Sequence, residues 1–479
     1  MHDVTTGTTS GLRRGVLGPA AIAFFVISAA GPLVAMAGGV PVAMLFGNGA
    51  GIPAMFLLAT IVLCAFAAGY TAMARDVRNA GAFYAFAARG LGGRAAGATG
   101  MVALLSYNAI QIGLYGLFGA AAAGLIEPVT GRALPWYAYA AVAMASIAWF
   151  GYRRVDLSAK ILGLLVAGEY LVVLILDLVI VASGGEAGLD ARSFSPAVVA
   201  TGSPAIGLML CFAAFIGFEA TTIYSEEARD PERTIPRATY VSVLLIGGFY
   251  CFSTWAVVSG AGVDRLLPML RAGGDPTLFL FNLAHRYVGG PFELVMRVLF
   301  VTSCYASLLA FHNAIARYLF AMGREGLLPV RLGETHATYA SPHIGSAVQS
   351  LFALCCVALF AVSGADPILT VFTLPSALAT LGVITLMAIT SLAVLAYFRH
   401  RRRGWFRTRA TPAVSFVVLG GIALLATTRF DLLSGSNDRS TLALPLLLPL
   451  AGLLGLLLAT RLRRRDPVRF SQLGRSADA

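Results

Sequence analysis

Two apolar runs in this chain break near their middles, and those breaks limit what it can fold into. The first covers residues 24–33 and is interrupted at Gly31 and Pro32; the second covers 211–220 and is interrupted at Gly217, with Glu219 close behind. In hydrocarbon, a broken helix leaves peptide groups without partners at several kcal/mol each, so breaks persist only where they line a cavity or a ligand. Glycine and proline also make ordinary kinks in membrane helices. Two breaks at matching places in two halves of one chain instead mark a binding site near the bilayer midplane.

Composition supports the bilayer setting. The chain is 58% hydrophobic and 12% charged, against about 25% charged residues in soluble domains. Its 479 residues accommodate about twelve spans of ~20 residues with short loops. We place the spans at 17–40, 52–73, 97–125, 136–150, 159–181, 204–224, 238–258, 293–322, 344–362, 368–397, 412–427 and 442–459. The segment 264–292 lies outside and is long enough to hold a helix, and residues 75–84 form a basic half-turn or short helix. Residues 225–237 read as a charged loop with two prolines.

The net charge of +12 does not point to nucleic acid, because arginines crowd alternate loops: Arg75 to Arg94, Arg153 and Arg154, Arg229 to Arg237, Arg399 to Arg409, and Arg461 to Arg475. That asymmetry places both termini in the cytoplasm. The start, Met1-His2-Asp3-Val4-Thr5, is polar, and the first apolar stretch is too long and too broken for a signal-peptide core. Spans one and six lie five apart and cross in opposite directions, as an inverted five-helix repeat requires. The expected organisation is a tail at 1–16, a first repeat at 17–183, a second at 204–397, two further spans at 412–460 and a tail at 461–479.

Other function classes fit poorly. An ATP-driven pump needs a Gly-Lys-Ser/Thr loop, and the only lysine, Lys160, lies between Ala159 and Ile161. An enzyme needs a clustered nucleophile and base or a metal set, and the mid-span polar residues are scattered. The six cysteines fall in apolar runs without zinc-ligand spacing. No catalytic residue, metal or cofactor is expected.

Three stretches carry a family resemblance. Residues 212–237, with the core Phe-Ala-Ala-Phe-Ile-Gly-Phe-Glu and the tail Glu-Glu-Ala-Arg-Asp-Pro-Glu-Arg-Thr-Ile-Pro-Arg, resemble the amino acid permeases of the amino acid–polyamine–organocation (APC) superfamily. So do residues 313–329 at the exit of span eight, and Asn79-Ala80-Gly81-Ala82-Phe83-Tyr84 after span two. The resemblance implies an all-α polytopic membrane protein with about twelve helices, the five-plus-five inverted-repeat fold of sodium–neurotransmitter symporters and two added C-terminal helices. It also implies a substrate held between spans one, three, six, eight and ten. The family's first break usually reads Gly, a small polar residue, Gly, Ile; this chain has Ser28-Ala29-Ala30-Gly31-Pro32. The implied function is secondary active transport of an amino acid across the plasma membrane, by proton-coupled symport or exchange. A polyamine or amine antiporter and a non-transporting nutrient sensor are the alternatives.

An amino acid offers a carboxylate and an ammonium. The outer half of span one starts after the break, and its first N–H groups lack intrahelical partners and carry partial positive charge. Pro32 cannot donate, so Ala30, Gly31 and Leu33 are the carboxylate donors, with Ser28 and Ala29 beside them. Carbonyls of Ala213, Phe215 and Ile216 before Gly217 suit the ammonium, and Phe215 or Phe218 can act as a lid.

Glu169 lies nine residues past Lys160, a rise of roughly 14 Å, near mid-depth. A carboxyl there is costly and a functional candidate, either as proton carrier or hydrogen-bonded to the exposed backbone of span one. Similar proton-coupled permeases carry a lysine at about this place, a role that a carboxylic acid cannot inherit. Asp177, two turns further, is expected to face the outer vestibule. For Glu219 the resemblance implies gating or proton sensing, with a helix-terminus cap as the other reading. Asn108 and Ser307 are candidates for substrate contact and Ser303 for ion coupling, although such residues more commonly bond helix to helix. His312 reads as structural, His336 and His343 match no metal motif, and Glu226 and Glu227 are expected to pair with loop arginines as an inner latch.

Overall fold

The computed structural model describes residues 18, 19, 22, 26, 31–77, 81–153, 159–219, 221, 222, 228–339, 341–401, 404–433 and 443–474, with side chains undescribed at 159–162. The described residues are helical with connecting turns and contain no strand. The helices are α1 (Val34–Phe46), α2 (Ile52–Ala74), α3 (Phe83–Leu91), α4 (Gly93–Thr130), α5 (Trp136–Arg153), α6 (Ala159–Ala182), α7 (Pro204–Ala213), α8 (Pro231–Ala261), α9 (Leu266–Ala272), α10 (Leu278–Tyr287), α11 (Gly290–Arg324), α12 (His343–Val362), α13 (Pro367–Phe398), α14 (Phe406–Thr428), α15 (Leu444–Arg465) and α16 (Pro467–Gln472). Among the described residues, nine helices are long and apolar enough to cross a bilayer, and α1 and α7 are shorter apolar helices. The chain is an all-α polytopic membrane protein.

The two short helices are the part of span one after its break and the part of span six before its break. They pack together where Gly47 meets Gly207; a Cβ on Gly47 would lie 2.5 Å from the Gly207 Cα. The Ser203 N–H donates to the Gly47 carbonyl at 2.9 Å, and the Asn48 amide donates to the Val199 carbonyl at 3.0 Å, tying together the ends of both segments away from the breaks. Around this pair stand α2, α4, α11, α13 and α14. The helix α4 has 38 residues, about 57 Å of rise, and it bears on α11, α13 and α15. Gly97 of α4 and Gly455 of α15 approach so closely that a Cβ on either would collide with the other's carbonyl oxygen, a small-residue crossing typical of membrane helices.

Several boundaries differ from the expectation. The stretch from Pro231 to Arg237 is not loop but the first turns of α8. Pro231 occupies the first helical position, where its missing N–H costs nothing, and the Asp230 carbonyl accepts the Thr234 N–H at 2.7 Å. After span two the helix starts only at Phe83 and is buried along Phe83 to Ala87 rather than lying on the surface. The segment 264–292 holds two helices, α9 and α10. Past residue 460 the chain stays helical to Arg465, then folds back as α16, and the Gly474 N–H donates to Glu325 at 2.8 Å. Glu226 and Glu227 lie outside the described residues.

Candidate functional site

Gly31 and Gly217 open the two breaks with φ of +51° and +112°, the region that favours glycine. After Gly31 the chain enters α1 through a π-helical stretch, Val34–Gly39, a geometry common at functional sites. After α7 the chain turns by successive i→i+3 bonds: Ile216 N–H to Ala213 carbonyl at 3.1 Å and Phe218 N–H to Phe215 carbonyl at 3.1 Å. Those carbonyls keep a second lone pair each.

Each break presents an N–H to a buried carboxyl group. In span one, the Leu33 N–H donates to Glu169 Oε2 at 3.3 Å, and Ser303 Oγ donates to the same oxygen at 2.6 Å. Glu169 is 2% exposed and joins α1, α6 and α11. In span six, the Gly217 N–H donates to Glu219 Oε2 at 2.9 Å and Tyr107 Oη donates to Oε1 at 2.5 Å. The Glu219 carbonyl accepts from Tyr70 Oη at 3.0 Å and from Thr222 Oγ1 at 3.1 Å. The rings of Tyr107 and Tyr318 lie 5.4 Å apart beside it.

A cavity of about 60 Å³ lies between the broken segments, lined by residues of α1, α2, α4, α7, α11 and α13 and by the turn after α7. Its walls are apolar: among them are Val40, Phe56, Ile110, Leu114, Phe311 and Phe372. Among the described residues, the polar side chains on it are Ser307 and Ser376, whose buried hydroxyls have no hydrogen-bond partner. None of the described residues that line it is ionisable.

Of the residues singled out from sequence, Ala213, Ile216 and Ser307 line the cavity. Gly31 borders it, since a Cβ there would lie 2.8 Å from Ser307 Oγ. Leu33, Glu169 and Ser303 form the adjoining hydrogen-bonded junction. Gly217 and Glu219 form a second junction on Tyr107. Phe215 and Phe218 do not line the cavity; they pack behind it, on Phe56 and Phe66. Asn108 turns its amide to the Leu104 carbonyl of its own helix, at 2.7 Å, and is also off the cavity. Ser28, Ala29 and Ala30 lie outside the described residues. Asp177 does not face a vestibule: it is fully buried and accepts from Ser253 Oγ at 2.5 Å. His312 is buried and bonded to Ser346 at 2.8 Å.

Tyr107, Tyr70 and Ser376 were missed. Tyr107 neighbours Asn108, and 100° of helical rotation separates the residue that reaches Glu219 from the one that does not. Ser376 follows Pro375 inside an apolar run, a signal that was available.

The profile of the family described as "Amino acid permease" matches residues 27–435. The chain belongs to that family. Among similar curated proteins is the low-affinity putrescine importer PlaP of Escherichia coli K12, 26% identical over 196 residues, 41% of this permease and 39% of that protein. The branched-chain amino acid permease BcaP of Bacillus subtilis is 26% identical over 317 residues, 62% of this permease and 65% of that protein. A BcaP of Lactococcus lactis is 30% identical over 135 residues, 27% of each chain. The matches thus span less than two thirds of each relative. This permease has two broken spans with a carboxyl group at each break.

Proposed function

We propose that this permease moves a small apolar amino acid across the plasma membrane by alternating access, with both termini cytoplasmic. The observation that carries the reading is the cavity wall: among the described residues it has apolar side chains, two unpartnered serine hydroxyls and no ionisable group. A zwitterion brings its own charges, which the backbone dipoles at the two breaks can meet, and an apolar side chain suits the remaining wall. Kinship with a branched-chain permease agrees. A diamine such as putrescine would need a carboxylate at its second ammonium, and the described residues of the cavity lining offer none.

In this reading Glu169 carries the coupled proton. Its Oε2 accepts both the Leu33 N–H and the Ser303 hydroxyl, leaving Oε1 for the proton. Substrate carboxylate and Glu169 compete for the backbone donors of span one, so binding and proton movement are linked through one N–H group. The repeats 17–183 and 204–397 then rock about the cavity.

Uptake into proteoliposomes, with leucine, isoleucine, valine, arginine and putrescine offered with and without an inward proton gradient, tests both parts. Accumulation of branched-chain substrates driven by the gradient is expected. Putrescine accumulation instead would overturn the substrate, and binding without accumulation would mean a sensor. Glu169→Gln should abolish the gradient dependence; an unchanged dependence removes Glu169 from coupling.

A further inference from the structure

A second hollow, away from the cavity, lies where α2 ends and α14 begins. Its volume is about 400 Å³, and Thr71, Ala72, Arg75, Gly404, Arg407 and Thr408 line it. Two guanidinium groups share the space, and among the described residues no carboxylate does. Among the described residues, neither the Arg75 nor the Arg407 guanidinium has an ion pair or hydrogen bond. The nearest acid in sequence, Asp76, is engaged elsewhere: Arg401 stands 3.5 Å from its Oδ2, and Tyr397 Oη donates to it at 3.3 Å. The two threonine hydroxyls donate to carbonyls of their own segments, Thr71 to Ala67 at 2.7 Å and Thr408 to Gly404 at 3.2 Å. Among the described residues, the free donors in the hollow are therefore the two arginine forks.

Like charges left facing each other without a counter-ion repel, and a planar fork matches the oxygens of a phosphate. The place along the membrane normal supplies the rest. Arg75 directly follows the last residue of the spanning helix α2. Trp405 and Phe406, which lie in sequence between the lining residues Gly404 and Arg407, are 68% and 65% exposed, as aromatic residues are at the boundary between acyl chains and headgroups. Basic pockets between helices at that level hold lipid headgroups. The floor is closed by the contact of α2 with α14, where a Cβ on Gly69 would lie 2.6 Å from Pro412 Cγ.

We propose that Arg75 and Arg407 form a binding site for a phosphate group, supplied by an anionic phospholipid of the leaflet in which α2 ends. The occupied site would clamp the end of α2 to the start of α14. It does not depend on which substrate the permease carries.

The test is native mass spectrometry of the purified full-length protein after exchange into micelles containing phosphatidylglycerol or phosphatidylcholine. Retention of phosphatidylglycerol over phosphatidylcholine is expected, with a loss of about tenfold in Arg75→Gln/Arg407→Gln and an intermediate loss in Arg75→Lys/Arg407→Lys, which keeps the charge without the fork. Arg461→Gln/Arg464→Gln removes equal charge from exposed positions of α15 and should retain the lipid. An equal loss in that control, or equal retention of phosphatidylcholine, would overturn the site. Glycerol 3-phosphate binding as tightly as the lipid would overturn the membrane as the source. Thermal unfolding of the Gln and Lys variants in phosphatidylcholine should match the parent, which separates lost binding from lost folding.

Discussion

The two breaks solve the same problem by different means. In span six the Gly217 N–H meets a carboxyl group two residues further along the chain, at 2.9 Å. In span one the Leu33 N–H meets a carboxyl group 136 residues away, on another helix, at 3.3 Å. The first is a local cap: wherever residues 213–219 go, their turn carries its own acceptor. The second is a tertiary contact that lasts only while α6, α11 and the start of α1 stay together. Any displacement of α6 frees a donor at the edge of the cavity, so span one is the break whose chemistry depends on conformation.

The largest expected effect lies in span six. Glu219→Ala orphans two buried donors, the Gly217 N–H and the Tyr107 hydroxyl, and should destabilise the fold by about 2–6 kcal/mol at 1–3 per donor. Thermal unfolding of the purified protein reads this, and Glu219→Gln, which keeps an acceptor, should recover most of it. Glu169→Ala should cost less, about 1–3 kcal/mol, because the Leu33 contact is longer and the Ser303 hydroxyl can rotate to a carbonyl of its own helix. If the Glu169 variant proved the more damaging, the distinction between local cap and conformational contact would be wrong. Smallest is Ser303→Ala, at roughly 0.5–1.5 kcal/mol. A double-mutant cycle between Ser303→Ala and Glu169→Gln sharpens the comparison: a coupling near zero would mean that the 2.6 Å bond does not help hold the span-one junction.

Much of the fold was legible because it follows from short-range chemistry. Runs of apolar residues about 20 long declare spans, and Gly31-Pro32 and Gly217 declare breaks through backbone preferences that no neighbour alters. The site was legible where it consists of those same segments: Gly31, Ala213, Ile216 and Ser307 surround or line the cavity. Legibility failed where a helical face had to be chosen. Asn108 stands out in sequence as a mid-span polar residue, yet it bonds within its own helix and it is the neighbouring Tyr107 that reaches Glu219. Asp177 was turned toward water, yet it is buried against Ser253. The loop after span six was read from its charges and prolines, yet it is helical from Pro231, because proline is compatible with a helix's first turn.

By itself the sequence determined that this chain spans a membrane, where its helices lie, and where two of them cannot remain continuous. Transfer free energies and backbone preferences are properties of segments a few residues to a few turns long. Only the tertiary structure decided that the Glu169 carboxyl is the acceptor for Leu33, that Tyr107 holds Glu219, and that the described residues of the cavity wall carry no charge. The two pairings span more than a hundred residues, and they exist only once helix rotation and packing have brought particular faces together.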